Sequence, residues 1–205
     1  MGMGLLVTFL AALVLSSSPV AMATIFGSSL KWVVIFAPLV LVFIIGSKVD
    51  TYKINTLRIL FYVFAVLQGL ALSTIFIVYT NASILGCLFT CAALFAAMSV
   101  YGYVTKRNLE SFGQYLFMAL IGVIIAMIVN LFLQSGIMAM IISIVGVFLF
   151  LALTAYDTQQ IKTILWENPD TDRAVIMGSL TLYLDFLNLF MFILQIFGVK
   201  NPVDD

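Results

Sequence analysis

The sequence predicts an all-α integral membrane protein, a bundle of about seven transmembrane helices with the C-terminal helix central. Three observations predict it. Of the 205 residues, 64% are hydrophobic and 9% are charged, where a soluble domain carries about 25% charged residues. A chain so apolar cannot cover its own surface with polar groups, so lipid is its solvent. Stretches such as Leu116 to Phe132 and Ile137 to Leu153 are apolar on every face. Helices therefore span the bilayer, because a barrel strand would alternate apolar and polar residues. The last apolar stretch alone carries a polar stripe, and that stripe sets it inside the bundle.

A span needs about 20 apolar residues. The segments that meet this are 3–23, 31–47, 56–79, 82–104, 113–134, 137–158 and 174–197, forming a single polytopic domain without a linker. The first mimics a signal peptide, with Leu5 to Leu15 followed by Ala21-Met-Ala23, but it has no basic n-region and reads as a span. Leu6 stands where a myristoylation signal needs Ser or Thr. Pro38 falls inside the second span and predicts a kink. Asn81-Ala-Ser83 and Ser135-Gly136 read as tight turns, making hairpins of spans three and four and of spans five and six. Ser111-Phe-Gly-Gln114 reads as a capping box that opens span five. Asp170 to Asp172 supplies caps and negative charge at the start of span seven.

Basic residues set the orientation. The loops after spans two, four and six hold Lys48, Lys53, Arg58, Lys106, Arg107, Lys162 and Arg173, and the other face holds only Lys31 and Lys200. Those three loops are expected in the cytoplasm, with the N-terminus, and the C-terminus outside if span seven crosses. Glu110, Glu167, Asp170, Asp172, Asp204 and Asp205 read as solvated loop and tail charges.

Two acidic residues fall within spans, Asp157 in the sixth and Asp185 in the seventh. An aspartate at a helix centre costs about 2.5–3.5 kcal/mol to insert, so it is a candidate functional group. Asp185 lies on the order of 10–17 Å from the cytoplasmic end of its span, and Asp157 lies nearer that end. At 100° per residue, Gly178, Thr181, Asp185, Asn188 and Gln195 share one face about 100° wide. Thr181, Asn188 and Gln195 are candidates for interhelical hydrogen bonding. Arg58, at the start of span three, is a candidate counter-ion and equally a snorkelling topology marker. Cys87 and Cys91 stand four apart in an apolar run; with no histidine and no carboxylate cluster nearby they make a poor metal site and read as packing residues. No cofactor is implied.

Three segments together resemble the Bax inhibitor-1 family, closest to its bacterial inner-membrane branch. They are Ser99-Val-Tyr-Gly-Tyr-Val-Thr-Lys106-Arg107-Asn-Leu109, Thr154-Ala-Tyr-Asp157-Thr-Gln-Gln-Ile-Lys162 and Ser179-Leu-Thr-Leu-Tyr-Leu-Asp185-Phe-Leu-Asn188-Leu-Phe. The resemblance runs from about Ala37 to Gly198. It implies a pH-sensitive calcium leak in the inner membrane, with Asp157 and Asp185 as proton sensor and a basic residue as their alternative partner. That partner is implied near the end of span two, where this chain has Lys48 and Lys53, with Arg58 slightly beyond. The acidic residue that leak members tend to carry in span two has no counterpart in Ala37-Pro-Leu-Val-Leu-Val42.

Two carboxyls side by side in low dielectric cannot both ionise readily, so such a pair would hold one proton. That chemistry fits a pH-gated cation leak through the bilayer. A regulator that binds other membrane proteins, such as a membrane protease, is the alternative. An enzyme is not expected: Asp185 follows Leu-Tyr-Leu, lacking the Gly-x-Gly of intramembrane aspartyl proteases. Span seven has no lysine for a retinal Schiff base, and a net charge of zero disfavours nucleic acid.

Overall fold

The computed structural model describes residues 1–49, 51–167 and 171–202, so the expectations placed on Asp170, Asp204 and Asp205 lie outside the described residues. The helices are α1 (Gly2–Ser16), α2 (Pro19–Phe26), α3 (Leu30–Lys48), α4 (Ile54–Leu72), α5 (Ile75–Val78), α6 (Asn81–Val104), α7 (Glu110–Leu133), α8 (Gly136–Glu167) and α9 (Thr171–Phe197). Six of the spans, counting α4 with α5 as one, are long and apolar enough to cross a membrane, and α1 and α2 pass that test only when taken together, across a bend of 98°. The described residues hold no strand beyond one isolated bridge, Tyr79 to Lys200.

The bend corrects the expectation of a continuous first span over 3–23. Pro19 disfavours helix at Ser18, which takes an extended backbone and caps α2 by accepting from the Ala21 N–H at 3.4 Å. The third span breaks too. Ser73 and Thr74 donate to the carbonyls of Leu70 and Ala71 three residues back, competing with the helical ladder and separating α5 from α4. By contrast, α3 runs unbroken through Pro38. The sixth span gains nine residues over its expected end. Gln159, Gln160, Lys162 and Glu167 interrupt the span's apolar pattern without interrupting the helix, and α8 reaches Glu167, about 48 Å from its start.

By Cα proximity the chain separates into two compact units, the first comprising residues 1–80, 170–183 and 200–205 and the second 81–169 and 184–199. In the first, α1 lies parallel to α4 at backbone contact. Gly4 meets the Phe61 ring, and a Cβ on Gly69 would fall 2.4 Å from the Thr8 carbonyl oxygen. Small residues allow this approach, as they do between membrane helices generally. Thr8 bonds the carbonyls of Gly4 and Ala65, and its Oγ1 lies 2.5 Å from the hydroxyl of Tyr183, which is fully buried. Past α9, the Asn201 amide donates to the Ile77 carbonyl (2.7 Å) and its backbone N–H to Val78 (2.9 Å), capping α5.

In the second unit α6 and α8 touch at Gly102, where a Cβ would fall 2.2 Å from the Ala155 oxygen. The second half of α9 runs antiparallel to α8. Phe192 packs against Gly146 and stands 5.8 Å from the Phe150 ring, while Ser143 Oγ reaches Gln195 at 2.6 Å. The most apolar window of α9 is 56% buried, against 6–33% for the other candidate spans, so α9 is the most deeply packed of them.

Candidate functional site

The antiparallel register of α8 and α9 decides what meets Asp185. The pairs Ser143–Gln195 and Phe150–Phe192 advance by seven residues on α8 as they retreat by three on α9. Seven further residues along each helix, two turns, lead from the Phe150–Phe192 contact to Asp157 and Asp185. The two side chains are neighbours there, and a hydrogen bond between two carboxyl groups would need a proton on one of them.

Among the described residues no donor reaches the inner oxygen of Asp185. Asp185 is 5% exposed, and its Oδ2 is buried without a hydrogen-bond partner. The nearby hydroxyls serve their own helix: Thr154 Oγ1 donates to Phe150 O and Thr158 Oγ1 to Thr154 O, both at 2.7 Å. Phe186, next to Asp185, packs edge-on against Phe95 at 5.4 Å, and its carbonyl accepts from Cys91 Sγ at 3.6 Å. Both cysteines are buried and reduced. Orphaned buried polar atoms are uncommon enough to mark a site.

Beyond Asp157, α8 grips the turn between α6 and α7. Gln159 Oε1 accepts from the Leu109 N–H (2.8 Å) and its Nε2 donates to the Arg107 carbonyl (2.9 Å). Lys162 Nζ donates to the Tyr103 carbonyl at 2.8 Å and lies 4.7 Å from that ring's centre. Tyr156 covers Gly113, where a Cβ would collide with its hydroxyl at 2.4 Å. These contacts correct the capping box expected at Ser111. The helix begins at Glu110, whose N–H is taken by Asn108 Oδ1 at 2.8 Å, and Gln159 takes the preceding N–H.

Of the candidate counter-ions, Arg58 is engaged elsewhere. Its Nη2 lies 3.3 Å from Asp172 Oδ2 in an exposed pair at the start of α9, and Arg173 donates beside it to the Val49 carbonyl. The local sequence marks Asp172 as a cap and a solvated charge, and a partner 114 residues away leaves no mark in it. Lys48 ends α3 and Lys53 precedes α4, both exposed.

The polar stripe of α9 is not turned inward along its whole length, a second correction. Gly178 and Asp185 are buried and Thr181 is half-buried, bonding its own Met177 carbonyl. Asn188 and Gln195 are exposed. Bulky apolar neighbours such as Leu189, Ile193 and Leu194 take the core side instead.

The sequence profile of the family described as "Inhibitor of apoptosis-promoting Bax1" matches residues 1–202. Inner membrane protein YbhL of Escherichia coli K12 is 42% identical over 98% of this chain and 88% of its own length. A Rickettsia prowazekii protein, RP147, is 38% identical over 98% of this chain and 86% of its own. A Borreliella burgdorferi protein is also 38% identical, over 98% and 89%.

Proposed function

The chain belongs to the Bax inhibitor-1 family, and we propose that it is a pH-sensitive cation leak, conducting calcium, gated by the protonation of Asp157 and Asp185. The observation that carries this reading is the close approach of the two carboxyls, with Asp185 Oδ2 buried and unpartnered. At intermediate pH the pair holds one proton and one charge. A second proton removes that charge and the attraction it exerts on basic neighbours, and loss of the first leaves two like charges that repel. Either event changes how α8 and α9 pack. A carboxyl pair so poor in further acidic groups supports a slow leak rather than a fast channel, and no catalytic chemistry is assigned to it.

The site of action is the inner membrane, as the name of the Escherichia coli relative states for that protein, with the N-terminus and the 105–109 turn cytoplasmic. Calcium flux from proteoliposomes of the purified protein, measured across pH, tests the reading. The leak should rise toward acid. A protein with no leak at any pH would favour a regulator that binds other membrane proteins, for which α7, burying only Val123, offers a long lipid-facing surface.

A further inference from the structure

Asn188 and Gln195 stand in a membrane-spanning helix, exposed. They are seven residues apart, two turns, and so lie within about 20° of one another on α9. Asp185 is three residues before Asn188, about 60° round the same face. Lipid does not solvate an exposed amide, so a face of this kind borders water or protein. Asn188 Nδ2 donates to the Leu184 carbonyl at 2.8 Å, a bond that does not use its own carbonyl oxygen.

At the far end of this face lies a cavity of about 310 Å³ lined by Met127, Asn130, Leu131, Gln134, Ala139, Ile142 and Gln195. Three side-chain amides border it and no charged group does. At about 30 Å³ per water it has room for on the order of ten waters, enough for a hydrated cation. Its rim is built at a cost. Gln134 ends α7 with φ 49°, the left-handed conformation that usually falls to glycine, while Asn130 Oδ1 holds the turn by accepting from the Ser135 N–H at 3.2 Å.

We propose that this cavity is an aqueous vestibule for a hydrated cation, continued by a water-lined furrow along Asn188 to Asp185. The Asn188 amide oxygen, and the lone pair that Gln195 Oε1 keeps beside its bond from Ser143 Oγ, replace part of the cation's hydration shell without fixing it, as a path that must also release its ion requires. The water-access half stands on the exposure of these amides, and the cation half rests on the leak reading above.

Cysteine accessibility separates the two. Single variants Gln134→Cys, Asn188→Cys, Gln195→Cys and Ile125→Cys are treated, in proteoliposomes, with a membrane-impermeant cationic thiosulfonate applied from the side bearing the 134–136 turn. The parent protein, with both native cysteines buried, gives the background, and Gln134→Cys marks full exposure to water. Only a thiolate reacts, and it forms only where water reaches. Asn188→Cys and Gln195→Cys should react about tenfold or more faster than Ile125→Cys, an exposed apolar position on α7. Reagent at Asn188→Cys should also block the leak. Reaction at Asn188→Cys no faster than at Ile125→Cys, in folded protein whose Gln134→Cys variant labels normally, overturns the furrow. Fast labelling with an undiminished leak overturns its role as the ion's entrance. A parent without any leak defeats the leak reading instead, and the labelling rates still decide whether the water path exists.

Discussion

If Asp157 and Asp185 share one proton, as the proposed function requires, the residues should act as a unit. Asp157→Asn and Asp185→Asn each keep size and hydrogen bonding and remove one charge. Each should flatten the pH dependence of calcium flux from proteoliposomes, and the double variant should be no flatter than either single, because groups in direct contact are not additive. Additive flattening would mean two separate sites. Arg58 makes a second test. Its exposed pair with Asp172 contributes about 0–1 kcal/mol, too little to make it a structural necessity. If that pair is part of the gate, Asp172→Asn should shift the flux–pH profile as Arg58→Ala does, while Arg58→Lys keeps part of the response. Profiles unchanged in all three would leave Arg58 a topology marker and turn attention to Lys48 and Lys53. The acidic pair itself was legible, because a carboxylate inside an apolar run is costly enough to need a reason. Its closure was not, since the α8–α9 register depends on how Gly146 admits the Phe192 ring. Nor was the Arg58–Asp172 pair, which joins residues far apart in the chain.

The length and apolarity of each helix were legible, because a bilayer imposes both, but breaks and overruns were decided by short-range hydrogen bonding. Ser18 before Pro19, and the hydroxyls of Ser73 and Thr74, divert backbone groups within runs whose apolarity is continuous. Helix contacts were less legible still, since a glycine that admits a neighbour reads like one that faces lipid. Gly69 and Gly86 make the contrast measurable. A Cβ at Gly69 would meet the Thr8 carbonyl oxygen at 2.4 Å, whereas nothing lies within 4 Å of one at Gly86. Gly69→Ala should force α1 from α4 and destabilise the protein by about 1–3 kcal/mol. Gly86→Ala should be neutral or stabilise it by about 0.5–1 kcal/mol, because glycine is the poorer helix former. Unfolding midpoints in mixed detergent micelles compare the two, and equal shifts would deny the backbone contact its role.

For the whole molecule the decisive question is which end of each helix faces the cytoplasm. The parallel packing of α1 on α4 fixes their directions together. The Asn201 contacts with Ile77 and Val78 place Asn201 beside the end of α5. At 27 residues, α9 is about 40 Å long, enough to cross a hydrocarbon core of about 30 Å from the Asp172 end to the Phe197 end. Lys106 and Arg107, held in the turn that Gln159 grips, should then be cytoplasmic by the distribution of basic residues. Lys200, in the bridge with Tyr79, should be on the opposite face. Lys106→Cys and Lys200→Cys change exposed side chains and leave the backbone contacts intact. An impermeant thiol reagent should label Lys106→Cys only after the membrane of inverted vesicles or permeabilised cells exposes the cytoplasmic face, and Lys200→Cys only from outside. Both labels reversed would keep the fold and invert its orientation, overruling the count of basic residues. Both from one side would mean that α9 does not cross, and Asp185, buried midway along α9, would have to be explained as the floor of a re-entrant segment.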